Sequence, residues 1–113
     1  CFEDNDITRC KSPLKVVEYL ACGKAIVASN IAEVGRMLDG AGELVKPGDY
    51  LSLANGILKL LSDKKLRERL SKLARERAEK KYGWENTAAS LLSAYNKSLR
   101  SKRYAYLKNK KII

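Results

Sequence analysis

With 113 residues, 45% hydrophobic content and a net charge of +10, the chain has room for one domain of ordinary globular composition. It has no histidine, which excludes Ser-His-Asp and Cys-His catalysis, and its three cysteines form no CxxC pair, which removes a standard zinc site. An odd cysteine count, no signal peptide and no apolar run of membrane-spanning length imply a cytoplasmic setting. A start on Cys1 implies a native chain that is longer or has been trimmed.

Cys1 to Lys11 opens acidic, through Glu3, Asp4 and Asp6, and has the period of neither helix nor strand. It reads as a loop. Arg9 and Lys11 close it, two basic residues beside the next helix start. Ser12 then reads as an N-cap and Pro13 as the first helical residue. The helix continues through Leu14, Lys15, Val17, Glu18 and Ala21 until Gly23 ends it with left-handed backbone. Such a start, facing open space, can receive an anion. Glu18 lies one turn beyond Leu14, beside Val17 and Ala21, at the border of the apolar face. It stands about 7–8 Å along the axis from Pro13. That spacing suits a diphosphate at the helix start and a pair of ribose hydroxyls at the carboxylate. Cys22 reads as a small buried residue at the helix end.

Ala25–Ile26–Val27–Ala28 is a short apolar run, as expected of a parallel strand covered on both faces. Its C-terminal end, at Ser29–Asn30, is where doubly wound sheets place ligands. Ala32 to Leu38 reads as a short helix ended by Asp39–Gly40, with Glu33 favourably placed on the helix dipole. Gly42 to Val45 reads as a second strand, stopped by Pro47–Gly48. Asp49 caps a helix with Ala54, Ile57, Leu58 and Leu61 at core spacing. Asp63 caps another, whose Leu66, Leu70, Leu73, Ala74 and Ala78 form a buried stripe. Gly83 stops that helix, and Trp84, Ala88, Leu91, Leu92, Tyr95 and Leu99 mark the apolar stripe of a last one. Two short strands do not make an independent parallel sheet.

The positive charge has two sources. Lys64 to Lys81 is mainly basic, with Glu68, Glu76 and Glu79 interleaved as i,i+4 pairing on a solvated face requires. Beyond Glu85 there is no acid, while Lys97, Arg100, Lys102, Arg103, Lys108, Lys110 and Lys111 accumulate. Such a surface serves solubility, an anionic membrane or nucleic acid, and composition leaves all three open. Residues 100–113 read as a basic, flexible tail.

The run SPLKVVEYLACGKAIVAS, from Ser12 to Ser29, resembles the nucleotide-sugar-binding segment of GT-B glycosyltransferases of group 1 (family 4). The likeness continues through Ile31–Ala32–Glu33–Val34, Gly42 to Asp49 and Tyr82–Gly83–Trp84–Glu85, spanning about Asp6 to Leu99. It implies an α/β fold, a partial Rossmann-like C-terminal domain with short parallel strands and a helical C-terminal half, over residues 1–99. It implies further strands upstream, and a final helix that crosses to a missing N-terminal domain. The complete enzyme would move a sugar from a nucleoside diphosphate sugar to an acceptor hydroxyl, usually with retention and without a metal or other cofactor. Such enzymes serve polysaccharide or glycolipid synthesis, many on lipid-linked acceptors.

By this resemblance, backbone N–H groups of Ser12 and Leu14, at a start shaped by Pro13, receive the diphosphate. Glu18 accepts from the ribose hydroxyls. By position alone, Lys15 in the first turn and Arg9 and Lys11 beside the helix start are in reach of the diphosphate, with an ordinary surface role as the alternative reading of each. One position departs from the family pattern, which has two glutamates seven residues apart. Cys10 stands where the first, sugar-contacting glutamate would be, and a thiol cannot accept two hydroxyl bonds as a carboxylate does. The resemblance leaves this chain alone without the upstream basic catalytic residues, hence inactive by itself. The competing reading is a non-catalytic basic module bound to an anionic membrane or nucleic acid. Under the transferase reading no nucleic acid is expected, and the basic tail is left for peripheral membrane contact.

Overall fold

The computed structural model describes residues 2–100, 106 and 108–110. It divides into two compact units, Cys1–Lys81 and Tyr82–Ile113.

The first unit is the α/β part. Its order is α1 (Asp6–Arg9), α2 (Leu14–Ala21), β1 (Val27–Ser29), α3 (Val34–Leu38), β2 (Glu43–Val45), α4 (Tyr50–Ser62) and α5 (Lys64–Lys81). β1 and β2 pair in parallel, Val27 opposite Glu43 and Ser29 opposite Val45. The pairing extends one residue either way: Glu43 N donates to Ile26 O and Asn30 N to Val45 O, both at 2.8 Å. Among the described residues the sheet has only these two strands, so each leaves one edge unpaired. The core gathers Val16 and Leu20 of α2, Ile26, Val34, Leu38, Val45, Leu60, Leu70, Ala74 and Ala78. Leu20 and Leu38 are wholly buried.

Local chemistry accounts for most element ends. Asp49 Oδ1 accepts from Ser52 N at 3.0 Å, and Asp63 Oδ1 from Leu66 N at 2.9 Å, so both caps read from the sequence are present. Asp39 and Gly40 are left-handed, with φ of 42° and 83°, and stop α3 as expected. On α5 the buried stripe is Leu70, Ala74 and Ala78 with Leu66 half-buried, while Leu73 lies more in solvent. The i,i+4 pairs Lys64–Glu68 and Arg75–Glu79, at 3.7 and 2.7 Å, lace its outer face.

Several expectations fail, each for a physical reason. The stretch taken as a loop contains α1, held by a capping box: Asn5 Oδ1 accepts from Thr8 N at 3.0 Å and Thr8 Oγ1 from Asn5 N at 3.1 Å. A helix of one turn is too short to show a period. On α4 the residues facing the sheet are Gly56 and Leu60, whereas Ala54, Ile57, Leu58 and Leu61 are exposed. Gly56 permits this approach, since a Cβ there would stand 2.9 Å from Val45 Cγ1 and 3.0 Å from Val27 Cγ1. Cys22 is exposed, because it caps the helix end outside the core. Two more, the cap of α2 and the placement of Glu18, concern the candidate site and are described below.

The second unit contains α6 (Trp84–Leu99), preceded by Gly83. Its stripe of Trp84, Ala88, Leu91, Leu92, Tyr95 and Leu99 is exposed throughout. A single helix cannot bury its own stripe, so these residues form no core of this unit. The basic tail falls mainly outside the described residues; of those described beyond Ser101, Tyr106, Lys108 and Asn109 are helical.

Candidate functional site

α2 begins one residue later than the sequence implies. Pro13, with φ −74° and ψ 113°, is the N-cap, and no side chain caps the helix. Ser12 is therefore not the N-cap; it stands one residue before the cap, exposed. Proline's extended ψ lets its carbonyl accept the first bond, from Val16 N at 3.1 Å. The N–H groups of Leu14 and Lys15 precede that bond and have no helical acceptor. Leu14 is 69% exposed.

One turn in, Lys15 Nζ donates to Glu18 Oε2 at 3.1 Å. Glu18 is exposed instead of lying against the apolar face, because the buried stripe of α2 is Val16 and Leu20. The carboxylate raises the Lys15 ammonium above its ordinary pKa, chiefly through the hydrogen bond. Arg9 and Lys11 are drawn elsewhere. Arg9 Nε donates to Asp4 Oδ1 at 2.6 Å, with Asp6 at 3.8 Å, and this contact holds the Asp4 carboxyl below the ordinary aspartate value. Lys11 Nζ sits 5.1 Å from the centre of the Phe2 ring. Among the predicted residues, the structure thus joins Lys15 to Glu18, and it turns Arg9 toward the acidic loop.

A groove of about 220 Å³ runs between the start of α2 and β1. Pro13, Lys15, Val16 and Tyr19 line it from α2 and its start, Ile26 to Ser29 from β1 and the residue before it, and Phe2 and Val34 also line it. A second cavity of about 170 Å³ lies at the C-terminal ends of both strands, lined by Lys46, Asp49 and Tyr50 among others. Phe2 and Ser29 belong to both. The buried Ser29 Oγ accepts from Phe2 N at 3.2 Å, which ties the acidic loop to the end of β1. The strand-end rule pointed at Ser29; nothing local pointed at Phe2 or Tyr19. Among the described residues no group of three His, Cys, Asp or Glu side chains gathers as metal ligands, and no helix is long and apolar enough to cross a membrane.

The family model for glycosyl transferases group 1 matches residues 11–77, which contain α2, β1 and most of α5. The chain belongs to this family. Among the relatives it matches, spore coat protein SA of Bacillus subtilis (strain 168) is 35% identical over 106 residues, 83% of this chain and 27% of its own length. The phosphatidyl-myo-inositol mannosyltransferase of Mycobacterium leprae (strain TN) is 37% identical over 82 residues, 71% of this chain and 22% of its own length. Of solved structures, a sucrose-phosphate synthase from Thermosynechococcus elongatus superposes with a TM-score of 0.72 at 30% identity, over 78% of this chain and 23% of that one. The group 1 chain therefore has the partial GT-B, Rossmann-like architecture expected from its sequence. It spans about a quarter of the length of these relatives.

Proposed function

We propose that this chain supplies the donor-nucleotide side of a glycosyltransferase that moves a sugar from a nucleoside diphosphate sugar to an acceptor hydroxyl. The observation that supports it is the open start of α2. Two backbone N–H groups, Leu14 and Lys15, point out of a helix whose first turn also holds the Lys15 ammonium. N–H groups and dipole favour a diphosphate there. Glu18, exposed one turn on, accepts from the ribose 2′- and 3′-hydroxyls. Ser12 offers a further N–H just before the cap, and Pro13 shapes the turn. Arg9 and Lys11 join only by leaving Asp4 and Phe2. In this reading the leaving diphosphate is stabilised by helix and lysine, without a metal.

The acceptor side and the remaining strands belong to other parts of a GT-B enzyme, and this chain alone transfers no sugar. The acid-free stretch past Glu85 adds a peripheral contact with an anionic membrane surface at the cytoplasmic side. Calorimetric titration with UDP and GDP tests the core of the proposal. One of the two should bind in the presence of EDTA, and Glu18→Gln should weaken it about tenfold, or about 1.4 kcal/mol. Binding of neither nucleotide would sink the proposal, and turnover by the 113-residue chain would refute its inactivity.

A further inference from the structure

α5 takes no direct part in the candidate site, yet three of its arginines reach the C-terminal ends of three other helices. Arg67 Nη1 donates to Leu60 O at 2.6 Å and Leu61 O at 3.0 Å, at the end of α4. Arg77 donates to Met37 O and Arg36 O, each at 2.6 Å, at the end of α3, and to Asp39 Oδ2 at 2.7 Å. Arg75 Nη1 donates to Ala21 O at 2.5 Å, on the last residue of α2. Each arginine meets carbonyls that the helix itself leaves unbonded, with a charge that complements the negative dipole end.

The hold on α2 has a second component. Gly23, at φ +59°, lies against the same turn of α5: a Cβ there would be 3.5 Å from Arg75 Cβ and 3.5 Å from Ser71 O. Arg75 is itself oriented by Glu79, whose Oε1 accepts from its Nε at 2.7 Å. α2 is thus gripped at one end and open at the other.

We propose that Arg75 is a positioning residue for nucleotide binding: by fixing the C-terminal end of α2 it sets where Leu14, Lys15 and Glu18 present themselves. This inference rests on the donor-site reading above. α2 is about 12 Å long, so a tilt at Ala21 becomes a displacement at Leu14. In catalysis a misplacement of about 1 Å can cost up to a hundredfold in rate, and a smaller loss is expected for affinity. Arg67 makes the same kind of bond to the end of α4 instead of α2, so it serves as the control for stability.

The experiment is titration of the chain with UDP and GDP well below its melting temperature, paired with thermal melts. Arg75→Ala should weaken binding about tenfold. Arg75→Lys should stay within about threefold of wild type, because an ammonium can still reach Ala21 O. Arg67→Ala should lower the melting temperature comparably and leave Kd within about twofold. If Arg75→Ala does not fold, Arg75→Met keeps the stem, removes the donor and carries the same expectation. Wild-type affinity in the Arg75 variant, or equal weakening in Arg67→Ala, overturns the inference while the donor-site reading stands. A wild-type chain that binds neither nucleotide overturns both.

Discussion

At its C-terminal end α2 leaves little unsatisfied. Gly23 N and Lys24 N fold back to Leu20 O and Tyr19 O at 2.9 and 3.1 Å, a paired Schellman turn, and Arg75 takes Ala21 O. At its N-terminal end nothing comparable exists. Pro13 brings no side-chain bond, Leu14 stands in solvent, and Lys15 and Glu18 face each other on the surface. One helix of eight residues thus carries an anchor and an open terminus. The difference separates the two ends: residues near Leu20 and Gly23 hold the helix, and Leu14, Lys15 and Glu18 stand exposed, as the proposed donor site needs.

Substitutions at the two ends should therefore read out differently. The largest effect is expected at Leu20, wholly buried beneath the helix. Leu20→Ala should cost about 3 kcal/mol in denaturant unfolding, and a loss under 1 kcal/mol would mean the anchor lies elsewhere. Glu18→Gln should act the other way. Its ion pair with Lys15 is exposed and worth little, so the melting temperature should hold while nucleotide affinity falls about tenfold, or about 1.4 kcal/mol. A stability loss with unchanged affinity would reverse the contrast between the ends. Gly23→Ala forces an L residue into left-handed backbone and should cost about 1 kcal/mol; affinity would follow only if α2 tilts on α5.

The smallest effect concerns pH. Arg9 holds Asp4 below the ordinary aspartate value, mainly by the hydrogen bond. The folded pKa is depressed, so the stabilisation is present above the ordinary value and is lost as pH falls through the lowered one. An NMR titration should show the Asp4 midpoint rising to the ordinary value in Arg9→Ala. An unmoved midpoint would show that Arg9 is free of Asp4, and so available to the open end of α2.

Much of this was legible in the residues. The caps at Asp49 and Asp63, the stop at Gly23, the left-handed Asp39–Gly40 pair and both parallel strands are signals contained within a turn or a short run. Lys15 and Glu18 stand at i,i+3 spacing on a helix, yet from sequence alone they are assigned to a diphosphate and a ribose and not to each other. Even the missed α1 left a trace in the Asn5–Thr8 capping box, though four residues carry no period. Other features had no local signal. α4 is apolar on several sides, and only the sheet beneath it selects Gly56 and Leu60 as the buried face. Arg9 turns to Asp4, and Arg75 reaches a carbonyl 54 residues away. Sequence determines what one turn of backbone can satisfy by itself. Which apolar face is covered, and which end of α2 is held, depend on partners brought together only when distant segments pack.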